Sequence, residues 1–323
     1  MHATPQENHS LTGSHRKKRT MASSTGTIKL NSSYGEGTLW LRGNLHTHTT
    51  FSDGKRSPEE VIKDYERRGY DFLAISDHDV FVKPDKYQRL TAMTLIPAVE
   101  VTANGPHILH VNARTLVPPN ENRQTVLAEI SQQPEGFSVL NHPNWLAPLP
   151  GLHFSHEQMM ALDGYTGIEI YNGVIERLPG VSNATDQWDR LLSNGRRIWG
   201  FGHDDSHDVQ DVGLGWNKVQ TTSQKGDDIV SAMKAGQFYV STGVEIQSVR
   251  VQERRITVVT HNAMRIKFVS KWGVVCHTVD SQAAEFVIPD DLSVINSLMY
   301  IRIECCGARG EMAWTQPIWI ETE

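Results

Sequence analysis

The sequence predicts a mixed α/β fold that ends in a β-rich segment, and two observations lead to this prediction. Over residues 36–243, short apolar runs alternate with segments of helical periodicity, which is typical of strands joined by helices. After about Val244 the chain consists of successive strand-like segments without a convincing helix. We therefore predict a disordered tail over residues 1–35, an α/β barrel over residues 36–243 and a β-sandwich domain over residues 244–323.

The composition is that of a globular chain that can bury a large core. Hydrophobic residues make up 38% of the 323 residues and charged residues 21%. The formal net charge of −6 argues against a dedicated nucleic-acid-binding protein, because such proteins carry a basic surface. A small anionic substrate, including a small nucleotide, stays compatible with this charge, since bound metal ions supply positive charge locally.

The sequence also indicates a cytoplasmic protein with no membrane segment. The three cysteines, Cys276, Cys305 and Cys306, form neither a disulfide framework nor a metal-binding spacing, which favours a reducing compartment. No run approaches the roughly 18 apolar residues that a membrane helix needs, and the N-terminus lacks the apolar core of a secretion signal. A homo-oligomer is left open.

Residues 1–35 are polar and contain the basic run Arg16–Arg19. This run could serve as a localisation signal or a nucleic-acid contact, but a solvated, disordered tail is the better interpretation.

The first clear helix and strand follow this tail. Ser57 and Glu60 form the pattern of a capping box, with Pro58 at the first helical position, and Gly69 is placed to end the helix. The apolar run at residues 72–75 then predicts a buried strand, which leads directly into the polar segment at residues 76–79.

The same arrangement of an apolar run followed by polar residues recurs along the chain. The polar residues that follow these runs include Glu100, His110, His142, Glu169 and the segment His203-Asp204-Asp205-Ser206-His207. Helical patterns lie between several of the runs, for example at residues 155–162 and 184–193. Seven or eight such strands fit a barrel, and barrel enzymes place their chemistry at strand ends.

The most specific signal is the pair His46 and His48, which precedes Asp53. If this segment is extended, the period-two alternation of a strand places both imidazoles on one face, where they can chelate one metal ion. A histidine at one strand end is more often a hydrogen-bonded loop residue than a ligand. The number of imidazoles and carboxylates at strand ends nevertheless favours a metal site, because such groups are costly to bury together without counter-charge. Imidazoles and carboxylates without thiolates suit zinc, manganese or iron.

These motifs, in this order, resemble the polymerase-and-histidinol-phosphatase (PHP) family. The resemblance covers residues 39–242 and consists of LHTHTTFSDG, SDHD, Glu100 with HVNA, NHP and DDSH. The family implies a distorted (β/α)7 barrel with two or three metal ions at its mouth. The segments GIEIYNG and QFYVSTG and the trailing β domain also resemble a branch known for carbamate and amide hydrolysis.

Carried over residue by residue, the family pattern implies three metal positions. His46, His48 and Asp205 would hold the first ion, and Glu100 would bridge to a second ion held by His110 and His142. Asp53, His78 and His207 would form the third position, although Asp53 stands where many relatives have histidine. Two choices rest on motif register: His110 is preferred to His107, and Asp205 to Asp204. Glu169 is expected to have a structural or substrate-facing role.

The resemblance implies a metal-dependent hydrolase that uses a metal-bridging hydroxide. A phosphoesterase acting on monoesters or diesters is expected first, an amide or carbamate hydrolase is the alternative, and a non-catalytic metal-binding module comes last. Asp53, His78 or His207 could carry a proton to the leaving group if the third position holds no ion. Trp145, Asn172 and Trp216 are the expected substrate-binding residues, with barrel packing as the alternative.

Overall fold

The fold was analysed in a computed structural model, which describes residues 27–35, 39–146 and 151–322. The basic run Arg16–Arg19 lies outside these residues. The strands up to the predicted domain boundary are β1 (Ile28–Asn31), β2 (Leu39–Asn44), β3 (Phe72–Ile75), β4 (Thr94–Val101), β5 (Ile108–Val111), β6 (Phe137–Leu140), β7 (Gly167–Asn172), β8 (Trp199–His203), β9 (Trp216–Thr221) and β10 (Phe238–Ser241).

The remaining strands and the helices complete the list of elements. The later strands are β11 (Ile246–Gln252), β12 (Arg255–Thr260), β13 (Arg265–Ser270), β14 (Val274–Val279), β15 (Ala283–Val287), β16 (Tyr300–Cys306), β17 (Met312–Thr315) and β18 (Ile318–Thr322). The helices are α1 (Pro58–Arg67), α2 (Arg123–Ser131), α3 (His156–Ala161), α4 (Thr185–Ser193), α5 (Gly226–Lys234) and α6 (Leu292–Ser297). None of these helices has the length and apolar character needed to cross a membrane.

Helix α1 forms as the sequence predicts. The Ser57 side chain accepts a hydrogen bond from the Glu60 backbone N–H, and the Glu60 carboxylate accepts one from the Ser57 N–H. The helix buries Val61 and Tyr65 against the sheet. Gly69 follows the helix with φ of +74°, a conformation that favours glycine. Helices α3 and α4 occupy the two other segments for which a helix is predicted.

The central sheet mixes parallel and antiparallel strands. Its order is β8-β7-β6-β5-β4-β3-β2-β9-β10. The pairs β2–β3, β3–β4, β6–β7 and β7–β8 are parallel, whereas β5 is antiparallel to both β4 and β6. Residues 102–107 join β4 to β5, and so short a connection cannot hold the crossover helix that a parallel pair requires. As a result, the start of β5 lies at the edge where both of its neighbours, β4 and β6, have their C-terminal ends.

The two ends of this sheet approach each other beside β2. Thr47 forms an isolated parallel bridge with Ser206, and the Asn217 side chain exchanges hydrogen bonds with the Gly202 backbone at 3.2 Å and 2.8 Å. A continuous ladder between β8 and β2 or β9 is absent from the part of the chain that the structure describes. The mixed α/β fold with parallel strands is therefore confirmed, whereas the closed barrel is not.

The C-terminal part is rich in β-structure, as predicted. Strands β11, β12 and β15 form a separate three-stranded sheet, whose apolar face packs with Phe268 and Ile303 of the larger sheet. Strand β17 pairs with β10, so one sheet continues across the predicted boundary at residues 243 and 244. The prediction that this part has no helix is wrong, because α6 contributes one short helix.

The predicted N-terminal tail is too long. Strand β1 lies within residues 1–35, yet it pairs antiparallel with β18, from Ile28 opposite Thr322 to Asn31 opposite Trp319. Ile28 and Leu30 pack against the C-terminal core, which explains why this segment is ordered. Residues 1–26 lie outside the described residues.

Candidate metal centre

The centre of the site is the extended segment that follows β2. His46 and His48 lie on the same face, with their ring centroids 5.1 Å apart, while the hydroxyl of Thr47 points away and donates to the Ala74 carbonyl at 2.7 Å. Both histidines are buried. The alternation predicted from the His-x-His spacing is therefore present in the structure.

Asp205 completes a first cluster with these two histidines. Its Oδ1 atom lies 3.2 Å from His46 Nε2 and 2.9 Å from His48 Nε2. Asp204, the competing residue, lies elsewhere: its carboxylate accepts from the Tyr65 hydroxyl and from backbone N–H groups of residues 213–215. The placement of Asp205 rather than Asp204 beside the histidines agrees with the choice made from the sequence.

Glu100 lies in the middle of the site, at the C-terminal end of β4. Its two carboxylate oxygens lie 2.7 Å from His78 Nδ1, 3.1 Å from His107 Nδ1, 3.2 Å from His46 Nε2 and 3.4 Å from His142 Nε2. A carboxylate surrounded in this way is placed to bridge two cations.

His110 is not part of the cluster, and His107 takes its place. Glu100 lies opposite Leu109 in the antiparallel β4–β5 ladder, so Leu109 and His107 share its face while His110 points to the other face. The choice of His110 from motif register assumed that the end of every strand reaches the site. Because β5 runs antiparallel, its start reaches the site instead.

Asp53 and His207 form a third group together with His78. Asp53 Oδ1 lies 3.4 Å from His78 Nε2 and 3.3 Å from His207 Nε2. The Asp53 side chain is 57% exposed, so this group borders solvent. Asp77 holds the preceding loop, because its carboxylate accepts from the Thr49 N–H and hydroxyl and from the Ser52 hydroxyl.

A layer of hydrogen bonds orients the inner residues. Glu169 is buried and accepts from Nδ1 of His46 and from Nδ1 of His203, each at 2.7 Å, which leaves His46 Nε2 directed at Asp205 and Glu100. The other Glu169 oxygen accepts from the His142 N–H and from the Asn172 amide. Glu169 thus contacts His46, His142 and His203, and His203 is a residue to which the sequence analysis gave no role.

The backbone is also strained here. Asp205 and His142 adopt φ values of +51° and +30°. Residues other than glycine seldom occupy this region, and such strain is characteristic of functional sites.

Several buried polar atoms of the cluster have no hydrogen-bond partner, which is consistent with a role as metal ligands. Within the described residues, His46 Nε2, both ring nitrogens of His48, Glu100 Oε2 and Asp205 Oδ1 are buried and make no hydrogen bond. Leaving so many buried donors and acceptors unsatisfied is costly, at about 1–3 kcal/mol each. Cations bound among them would satisfy these atoms, and the set of imidazole and carboxylate ligands suits zinc, manganese or iron.

The electrostatics of the cluster point the same way. Burial disfavours the protonated rings, yet the negative charges of Glu100 and Asp53 raise the pKa of His78 to about 11. Asp53 and Asp205 likewise raise the pKa of His207 to about 9 against the effect of burial. In the absence of a cation, protons on these rings balance the carboxylates, and a bound cation would compete with those protons.

A cavity of about 340 Å³ opens over the cluster. Its lining combines metal-site residues, Trp145, an apolar wall and two cations, Lys55 and Arg177. The apolar wall consists of Val174, Ile175 and Leu178. A larger cavity of about 710 Å³ lies around the start of β4 and has no histidine in its lining.

Only one of the three predicted substrate-binding residues faces this cavity. Trp145 lines it, with its ring 5.1 Å from that of His142. Asn172 is buried and donates to Glu169 and Asp205, so it orients ligands instead of contacting substrate. The ring of Trp216 lies 3.6 Å from the Arg42 guanidinium, outside the cavity lining, and the packing alternative holds for this residue.

Fold and site together define a mixed α/β protein with a cluster of imidazoles and carboxylates that fits metal ions at one edge of its sheet. Residues 44–148 match the family model of the PHP domain. Over these residues, the match confirms the resemblance to the PHP family that was inferred from the motifs.

Individual proteins are similar to parts or most of the chain. A 5'-3' exoribonuclease of Haemophilus influenzae is 34% identical over 76 residues, which is 21% of this chain and 28% of that protein. The match thus spans less than a third of the curated relative. A lesion-specific endonuclease of Pyrococcus furiosus is 14% identical, with 61% of this chain and 56% of that chain covered and a TM-score of 0.42.

One solved structure covers nearly the whole chain. It is a two-domain protein of Bacteroides vulgatus described as containing a predicted PHP-like metal-dependent phosphoesterase. The two chains are 15% identical, 93% of this chain and 91% of that chain are covered, and the TM-score is 0.51. This likeness shows a shared fold that includes the C-terminal β-rich part.

Proposed function

We propose that this protein is a metal-dependent hydrolase that cleaves phosphate esters. The observation that carries the proposal is the position of Glu100, a buried carboxylate in contact with several imidazoles beneath an open cavity. A hydrolase with two metal ions needs a carboxylate placed among imidazoles in this way, because the ligands must hold both ions close together.

The ligand sets follow from the distances. His46, His48 and Asp205 would hold a first divalent ion, and Glu100 would bridge it to a second ion held by His107 and His142. Asp53, His78 and His207 surround a third position, so the count is two or three ions of zinc, manganese or iron. The strands β2–β8 together with β9 would act as a distorted barrel around them.

When bound, such ions supply a water molecule of lowered pKa and stabilise negative charge on the substrate. Glu169 holds His46 by its Nδ1 atom and thereby directs Nε2 toward the first position. If the third position holds no ion, the protonated ring of His207, paired through Nε2 with the Asp53 carboxylate, is placed to pass a proton to the leaving group at the solvent side.

The cavity favours a small substrate. A volume of about 340 Å³ is at the low end for small-molecule sites, and Lys55 and Arg177 at its border favour an anion. We propose a small anionic molecule, such as a phosphate ester of nucleotide size, in a cytoplasmic setting without membrane or large nucleic-acid partners. Homo-oligomer formation is left to experiment.

A second candidate is hydrolysis of an amide or carbamate at the same ligands. The observation that favours it is the apolar wall of Val174, Ile175 and Leu178, which suits an uncharged aryl group. Both candidates use the same metal ligands, so only the choice of substrate separates them.

The test measures metal content and turnover in one sample. Bound metal per chain is determined by plasma mass spectrometry, and the same protein is assayed with a phosphomonoester, a phosphodiester and an aryl carbamate. The variants His46→Ala and Asp205→Ala should lose metal and turnover together. His261→Ala, a change of an exposed histidine in the C-terminal part, is the control.

Three outcomes decide between the candidates. Two or more ions with phosphate-ester turnover would support the proposal. Turnover of the carbamate alone would move the protein to the second candidate. Less than one ion per chain, after reloading with zinc, manganese or iron, would refute a metal-dependent hydrolase and leave a binding module.

A further inference from the structure

Arg177 is a cation at the border of the metal cavity that the motifs do not include. It ends the 3-10 helix Gly173–Arg177, which follows β7 and also contributes Val174 and Ile175 to the apolar wall. The Arg177 side chain is 39% exposed. It is therefore reachable by a molecule that enters the cavity.

Asp211 holds this guanidinium in one orientation. Arg177 Nε donates to Asp211 Oδ1 at 2.6 Å, and Nη2 donates to Oδ2 at 2.8 Å. A paired contact of this kind fixes the plane of the guanidinium. Arg177 Nη1 has no hydrogen-bond partner among the described residues, so its donors are available to a ligand.

Asp211 also connects Arg177 to the loop that carries metal ligands. The Asp211 side chain is 1% exposed, and its Oδ2 atom accepts from the backbone N–H groups of His207 at 3.0 Å and Asp208 at 2.9 Å. The guanidinium is thus held relative to the same loop that positions Asp205 and His207. Lys55, the other cation at the cavity, is less constrained: it pairs with Asp208 at 2.8 Å while its side chain is 70% exposed.

We propose that Arg177 is a specificity-determining residue that binds the anionic group of the substrate, with Asp211 as its positioning residue. This inference rests on the proposed function and narrows its substrate class to phosphomonoesters. A phosphomonoester keeps unesterified oxygens and a second negative charge, and the planar donors of an arginine suit such a group. A diester or a neutral ester offers less charge for the same contact.

The experiment compares matched variants of the metal-loaded protein. KM and kcat are measured for p-nitrophenyl phosphate and bis(p-nitrophenyl) phosphate, and the affinity for inorganic phosphate is measured by calorimetry. The variants are Arg177→Met, Arg177→Lys and Asp211→Asn. The control is Arg265→Met, because Arg265 forms the same paired contact with Asp280, at 2.6 Å and 3.2 Å, in the C-terminal part.

Loss of one charge-assisted contact should raise KM for the monoester by about 10- to 100-fold in Arg177→Met. The dissociation constant of phosphate should rise by a similar factor, and the rise in KM for the diester should be smaller. Arg177→Lys should recover part of the loss, because it keeps the charge without the planar geometry. Asp211→Asn should shift KM in the same direction with less effect.

Two results would overturn the inference. One is that Arg177→Met matches Arg265→Met in monoester KM and in phosphate affinity. The other is that both Arg177 variants lose bound metal, which would make the residue a support of the ligand loop. If the unaltered protein cleaves no phosphate ester but binds phosphate in an Arg177-dependent manner, the proposed phosphoesterase fails while the anion site stands.

Discussion

Replacing His107 and His110 in two separate variants tests which of these histidines is a metal ligand. His107 Nδ1 lies 3.1 Å from Glu100, whereas His110 points to the opposite face of the β4–β5 ladder. His107→Ala should therefore remove about one bound ion per chain and abolish turnover, because a ligand of the second position is lost. His110→Leu should retain metal content and turnover.

The stability of the folded protein should not suffer from the change His110→Leu. His110 is buried, and neither of its ring nitrogens has a hydrogen-bond partner among the described residues. Burial lowers the pKa of His110 to about 4, so the ring is neutral at pH 7. Since an unsatisfied buried polar group costs about 1–3 kcal/mol, an apolar residue of similar size should leave the free energy of unfolding unchanged or raise it by up to that amount.

The assay combines plasma mass spectrometry, turnover of the best substrate and urea unfolding of the metal-free proteins. Unfolding in the metal-free state separates the effect on the fold from the effect of a lost ion. If His110→Leu loses an ion while remaining folded, or His107→Ala keeps all of its metal, the assignment based on strand direction is incorrect.

Three further predictions follow from other contacts. Glu169→Gln weakens the hydrogen bond that orients the His46 ring and should lower the affinity for metal by about 10- to 100-fold while the fold stays intact. A metal titration curve equal to that of the unaltered protein would refute this orienting role. Asp189→Asn removes one of the two carboxylates that pair with the buried Arg302 guanidinium, the other being Glu304, and should cost up to about 3–5 kcal/mol in urea unfolding. Asp163→Asn, at an exposed pair with Arg196, should cost less than about 1 kcal/mol, and equal costs of the two changes would contradict this prediction. Removal of metal with a chelator should lower the midpoint of thermal unfolding, because ions bound to the native state stabilise that state, and addition of zinc, manganese or iron should restore the midpoint. An unchanged midpoint in a protein shown to have lost its metal would contradict this prediction.

The sequence by itself determined the features that depend on residues close together in the chain. The alternation around Thr47 places His46 and His48 on one face, since neighbouring side chains of an extended segment point in opposite directions. The capping pattern of Ser57 and Glu60 likewise specifies the start of α1 from local hydrogen bonds. The motif order was also sufficient to indicate the PHP domain.

Only the tertiary structure decided which distant groups meet. The direction of β5, set by the short connection after β4, brings His107 rather than His110 to Glu100. The pairing of Arg177 with Asp211 joins the ends of two separate 3-10 helices, Gly173–Arg177 and Val209–Asp211, and neither residue belongs to a motif. Such contacts join residues far apart in sequence, and their positions depend on how strands pair, which local patterns do not specify.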